Sequence, residues 1–126
     1  MILLVEDDER EGTILEQWLR AHHFDVEWVR DGISAIGAAR NPEVDLIILD
    51  VGLPGIDGLQ VCRALKEGPV PPPVVMISGR DVDDEVRALG PQGPDVFLPK
   101  PFRVATLKAE LDRLLPLRPV HSDVTG

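Results

Sequence analysis

Asp45-Leu46-Ile47-Ile48-Leu49-Asp50, continuing as Val51-Gly52-Leu53-Pro54-Gly55-Ile56-Asp57-Gly58, decides the fold. Four consecutive apolar residues bounded by turn formers describe a strand buried on both faces, the middle of a parallel sheet. Asp50 closes that strand where it runs into a loop of Gly and Pro. In open α/β sheets ligands bind outside the carboxyl ends of central strands. A carboxylate at that place serves as a metal ligand, a nucleophile or both.

Working outward, five strand-like runs alternate with helical ones. The all-apolar run 2–5 predicts the first strand. A helix over 9–21 follows, in which Ile14, Leu15, Trp18 and Leu19 are expected to form one buried stripe. Residues 25–29 alternate as a half-exposed edge strand does, and Asp31-Gly32 is a turn before an Ala-rich helix over 33–40. After the central strand, a helix over 59–66 carries Leu59, Cys62 and Leu65 on one face. Gly68-Pro69-Val70-Pro71-Pro72-Pro73 is an extended connector. Val74-Val75-Met76-Ile77-Ser78 is a second fully buried strand that ends in a hydroxyl. A short acidic helix over 82–89 is stopped by Gly90-Pro91, residues 96–98 form the last strand, and Val104, Leu107, Leu111, Leu114 and Leu115 mark the core face of a final helix. This alternation implies a doubly wound parallel sheet with helices on both sides, because parallel neighbours need right-handed crossovers. A folded domain is expected over 1–116. Residues 117–126 are polar and aperiodic, the pattern of a tail or of a linker toward an output domain.

The 126 residues suffice for one domain with its own core. A hydrophobic fraction of 44% with 28% charged residues is ordinary for a globular protein. No apolar run reaches the roughly 20 residues of a membrane span. The single cysteine, Cys62, excludes an internal disulfide and fits the reducing cytoplasm. A net charge of -9 sets the domain against phosphate backbones and anionic membranes, so any contact with nucleic acid falls to another domain or partner.

Polar residues stand at strand ends where a buried sheet would not otherwise want them. The first strand runs into Glu6-Asp7-Asp8, the third ends at Asp50, the fourth at Ser78, and the fifth is followed by Lys100. In the flavodoxin-like strand order 2-1-3-4-5 the first and third strands are neighbours, which sets Glu6 and Asp7 beside Asp50. Clustered carboxylates repel unless a cation sits among them, and Mg²⁺ suits two carboxylates and water. A metal, the Ser78 hydroxyl and the Lys100 ammonium converging on Asp50 make a site for a phosphoryl group, with Asp50 as the nucleophile.

With these residues in place, residues 1 to about 115 resemble a response regulator receiver domain, the phosphoacceptor of bacterial two-component signalling. The resemblance rests on Val5-Glu6-Asp7-Asp8, on Ile48-Leu49-Asp50 with Leu53-Pro54-Gly55-Ile56-Asp57-Gly58, on Met76-Ile77-Ser78-Gly79-Arg80 and on Pro99-Lys100-Pro101-Phe102. It implies a (βα)5 flavodoxin-like fold in which Asp50 accepts a phosphoryl group from the phosphohistidine of a sensor histidine kinase. It also implies that Glu6 and Asp7 form an acidic pocket, and that Asp7, Asp50 and the Gly52 carbonyl ligate Mg²⁺. Ser78 and Lys100 would hold phosphoryl oxygens, Phe97 would report the phosphorylation state, and the Lys100–Pro101 peptide would be cis. The domain would not be an enzyme beyond its own phosphoryl transfer and dephosphorylation. Its partners would be the kinase and an output domain or downstream protein, with transcriptional control as one outcome.

The chain departs from that family in four places. Gly90-Pro91-Gln92-Gly93-Pro94 replaces an Ala- and Glu-rich stretch, so the fourth helix should end near Leu89. Glu110 stands where regulators with a winged-helix output carry a basic residue, and Val96 where an acidic one is common. A monomer, or a dimer unlike that subfamily's symmetric one, is therefore expected. Gly52 removes the side chain at a position that tunes dephosphorylation. It also argues against a haloacid-dehalogenase-type phosphohydrolase, which needs a second Asp there. Asp8, Asp31 and Asp57 read as helix caps or turn residues, His22 and His23 as a helix end, Cys62 and Trp18 as core, and 81–85 as a solvated helix start.

Overall fold

The structure, a computed structural model, describes residues 1–115. The expected tail over 117–126 lies outside them. The element order is β1 (Ile2–Val5), α1 (Glu9–Ala21), β2 (Val26–Val29), α2 (Gly32–Ala38), β3 (Leu46–Asp50), α3 (Gly58–Leu65), β4 (Val74–Ser78), α4 (Asp83–Ala88), a 3-10 turn (Gly90–Gln92), β5 (Val96–Pro99) and α5 (Val104–Leu114). All strands are parallel, in the order β2-β1-β3-β4-β5. This is the flavodoxin-like arrangement, with the crevice between β1 and β3 at the point where the winding reverses.

Strand period 2 explains how one sheet serves two cores. Leu3, Val5, Ile47, Leu49 and Met76 face α2 and α3, where Ala35, Val61, Cys62 and Leu65 meet them. Ile2, Leu4, Leu46, Ile48, Val75 and Ile77 face the other way, onto Leu15 and Leu19 of α1 and Leu107 and Leu111 of α5. Every residue of β1, β3 and β4 is buried, as continuous apolar runs require in a sheet covered on both faces.

Asp8, Asp31 and Asp57 cap α1, α2 and α3 with side-chain oxygens that accept backbone N–H bonds. Asp57 forms a full capping box with Gln60. His22 caps the end of α1, and Cys62 is buried. The fourth helix ends at Ala88, as the proline implies, yet the chain then coils into the 3-10 turn rather than an open loop. Gly90 makes this possible with φ of 58°, in the left-handed region.

The apolar stripes need correction at two positions. Leu15 and Leu19 are buried and Trp18 is half-buried against the same core, but Ile14 is 60% exposed. Val104 of the expected α5 core face is also exposed. Both line an open cleft between α1 and the start of α5, so helical spacing placed them on the apolar face while no other described element covers them.

Candidate functional site

Register builds the site. Val5 pairs with Leu49, so the residues that follow, Glu6 and Asp50, emerge side by side from adjacent strands. Asp50 itself pairs with Ile77 and Ser78 with Pro99, which delivers the hydroxyl and then Lys100 to the same edge of the sheet. The Lys100 backbone N–H donates to the Ser78 carbonyl at 2.7 Å, and the Lys100–Pro101 peptide is cis, as the resemblance implies.

Asp50 is buried, and its two oxygens have different partners. Oδ1 accepts the Gly52 N–H at 2.9 Å, while Oδ2 accepts from Lys100 Nζ at 3.1 Å. Glu6 is fully buried. Its Oε2 accepts the Asp8 N–H at 3.1 Å, whereas its Oε1 has no hydrogen-bond partner among the described residues and lies 3.8 Å from Lys100 Nζ. Burial pushes the Glu6 carboxyl up to about 8, and the neighbouring Asp50 adds to the effect; the Asp8 N–H and the Lys100 charge oppose it. Burial alone would lower the Lys100 ammonium, but contacts with Glu11 and Asp50 outweigh it and hold the group above its ordinary value.

Trp28 fastens this pocket from behind. Its indole N–H donates to the Glu6 carbonyl at 2.8 Å, and its ring lies where a side chain on Gly12 would stand. Arg30 covers the ring, 4.1 Å from its centroid.

Ser78 is buried and turned toward its own loop: its hydroxyl donates to the Arg80 carbonyl at 3.0 Å and accepts the Arg80 N–H at 2.9 Å. Phe97 is half-buried beside it, and Ser78, Phe97 and Lys100 line one cleft at the carboxyl edge of the sheet. Asp7 is exposed at the β1–α1 turn.

Glu11 is the residue that sequence reasoning missed. Lys100 Nζ donates to Glu11 Oε1 at 2.5 Å, and oxygens of Glu6, Glu11 and Asp50 all lie within 4.8 Å of one another. Asp7 is not in that group. Among the described residues this is the one cluster of three or more potential metal ligands. Glu11 is engaged by the Lys100 ammonium, whereas the unpartnered buried Glu6 Oε1 beside the Asp50 carboxylate offers oxygen donors that fit a hard divalent cation such as Mg²⁺.

The sequence pattern of the response regulator receiver domain matches residues 2–112. The chain belongs to this family. It is 40% identical over 114 residues to the response regulator protein PmrA of Pseudomonas aeruginosa, an alignment covering 90% of this chain and 51% of that protein. It is 39% identical over 115 residues to the transcriptional regulatory protein PcoR of Escherichia coli, covering 90% of this chain and 50% of that one. The receiver thus spans about half the length of these curated relatives. Among solved structures, it is similar to the beryllofluoride-activated N-terminal receiver domain of Klebsiella pneumoniae RstA, with a TM-score of 0.82, 32% identity and coverage of 92% of this chain and 98% of that one. It is also similar to the receiver domain of the Pseudomonas aeruginosa sensor histidine kinase PA1611, which carries a magnesium ion in its active site cleft, with a TM-score of 0.79, 31% identity and coverage of 90% and 94%. The receiver is a signalling domain of the two-component type, and no described helix is long and apolar enough to cross a membrane.

Proposed function

We propose that this receiver accepts a phosphoryl group on Asp50 from the phosphohistidine of a sensor histidine kinase and passes the change to an output domain or downstream protein. The observation that carries this reading is the buried Asp50 carboxylate at the end of β3, 3.1 Å from the Lys100 ammonium and beside the unpartnered Glu6 Oε1. A carboxylate oxygen of Asp50 attacks phosphorus, the phosphorus–nitrogen bond breaks, and its electron pair stays with the histidine ring.

Glu6, Asp7, Asp50 and the Gly52 carbonyl are assigned to hold Mg²⁺. When bound, the ion neutralises the carboxylates and draws charge from the phosphoryl oxygens. Lys100 balances the charge gathering on the transferred group. Ser78 leaves its two contacts with Arg80 to donate to a phosphoryl oxygen, and Phe97 moves into the space released. The face made by α4, β5 and α5 is remodelled as a population shift between two packings. Hydrolysis of the acyl phosphate resets the domain, with Gly52 leaving the approach of water open: a side chain there would meet only Asp50 Oδ1, at 3.7 Å. The whole protein is assigned to the cytoplasm, with any transcriptional output carried outside this acidic domain.

Incubation with a small-molecule phosphodonor and Mg²⁺ tests the reading. Intact mass spectrometry should find one phosphoryl group on the wild type and none on Asp50→Ala. An unmodified wild type, or an equally modified variant, would overturn it.

A further inference from the structure

Among the described residues Lys100 is the one ammonium at the pocket, and three carboxylates contend for it. Its Nζ lies 2.5 Å from Glu11, 3.1 Å from Asp50 and 3.8 Å from Glu6. Of the three, only Glu11 stands outside the strand ends.

Position alone would give Glu11 a different task. It is the third residue of α1 after the Asp8 cap, where a Glu side chain ordinarily folds back onto the cap's backbone N–H. Here Asp8 accepts the Glu11 N–H as expected, at 2.9 Å, but the Asp8 N–H is already taken by Glu6 Oε2 at 3.1 Å. With its customary donor occupied, the Glu11 carboxylate extends across the mouth of the pocket to the ammonium on the loop after β5. The contact joins residues 89 positions apart. Glu11 is also half-exposed whereas Lys100 is mostly covered, so the pair sits at the rim, where incoming anions pass.

We infer that Glu11 is a positioning residue that competes with the phosphoryl group for Lys100, holding the ammonium at the rim in the resting domain. The inference rests on the phosphoacceptor reading above. A phosphoryl group on Asp50 needs Lys100 among its oxygens, and each displacement of the ammonium from Glu11 subtracts from the affinity of the site for that group. Glu11 therefore biases the domain toward its resting state and shortens the reach of weak phosphodonors. Geometry sets the direction of the bias: the contact exists before phosphorylation, so breaking it opposes the change.

Beryllofluoride with Mg²⁺ serves as the phosphoryl probe, titrated by calorimetry or by tryptophan fluorescence, since the Trp28 indole is bonded to Glu6. Glu11→Gln should bind it about two- to fivefold more tightly, the scale of one partly exposed ion pair. Mg²⁺ titrated alone should bind no more tightly than to the wild type, because a negative charge has been removed. Glu11→Asp keeps the charge but withdraws it by one methylene from Lys100, and it too should tighten beryllofluoride. Weakening of both ligands in Glu11→Gln would make Glu11 a metal ligand or a structural support and overturn the inference. Tightening in Glu11→Gln but not in Glu11→Asp would trace the effect to charge repulsion rather than to the hold on Lys100, and would also overturn it. A wild type that binds no beryllofluoride sinks the phosphoacceptor reading itself, a failure separate from an unchanged affinity in the two variants.

Discussion

Asp50 stands where it does because Gly58 lets α3 press against the end of β3. A Cβ on Gly58 would lie 2.5 Å from the Val51 Cα and 2.7 Å from the Asp50 carbonyl oxygen, and backbone atoms cannot yield as a flexible side chain can. Gly58→Ala should therefore destabilise the domain by about 1–3 kcal/mol, the range of core overpacking. It should also weaken beryllofluoride binding by shifting Asp50. Gly52→Ala, which meets only Asp50 Oδ1 at ordinary contact distance, should leave stability close to wild type. Chemical denaturation of the two variants checks this, and a Gly58→Ala domain as stable as Gly52→Ala would refute it. Residues of this kind differ in how openly they declare themselves. Asp50, Ser78 and Lys100 were legible because a polar group at the end of an apolar run violates local patterning, and such violations mark sites. Asp57 was legible as a cap from the turn around it. Glu11 was hidden because a Glu in the first turn of a helix violates nothing, and its partner comes from the other end of the chain.

At the scale of elements, the surface formed by α4, β5 and α5 rests on a short fourth helix and a fifth helix whose charges pair with one another. The α4 helix has six residues, none of them buried, and no side-chain cap. The charges of α5 are paired within the helix: Glu110 Oε1 accepts from Arg113 at 2.7 Å, and Lys108 reaches Asp112 at 2.7 Å. Glu110 thus has a neighbour on its own helix, and the family resemblance sets it where a basic residue would be expected in regulators with a winged-helix output. On these grounds the activated domain should remain a monomer or pair through another surface. Light scattering with beryllofluoride and Mg²⁺ checks it, and a symmetric dimer through α4, β5 and α5 would contradict it. The sheet itself was legible to the residue in β1, β3 and β4, since continuous apolar runs admit one burial state. Helix faces were less so. Spacing shows which residues share a side, but whether that side is covered depends on neighbours, and the exposed Ile14 and Val104 lie where α1 and α5 diverge.

Across the whole molecule, an acidic chain folds around a pocket that gathers still more carboxylate. The net charge of -9 favours compactness least where the domain is most ionised. Glu6 adds a definite slope. Unfolded, it loses its proton near the ordinary value of 4.5, whereas burial in the fold holds that proton up to about 8. Between those values the native state binds more protons than the unfolded one, so stability falls as pH rises through the window and the slope ends above it. A divalent cation at the same carboxylates substitutes for the proton and binds only the folded pocket, so it stabilises more as the pocket becomes more anionic. With chelator present, the melting temperature should be lower at about pH 8.5 than at about pH 5.5, and saturating Mg²⁺ should raise it more at the higher pH. Glu6→Gln removes the titrating group and should flatten the chelator profile relative to wild type. A thermal scan of both proteins at the two pH values decides it: equal Mg²⁺ increments at both, or an undiminished slope in Glu6→Gln, would mean that the buried carboxyl is not the group through which metal and proton compete.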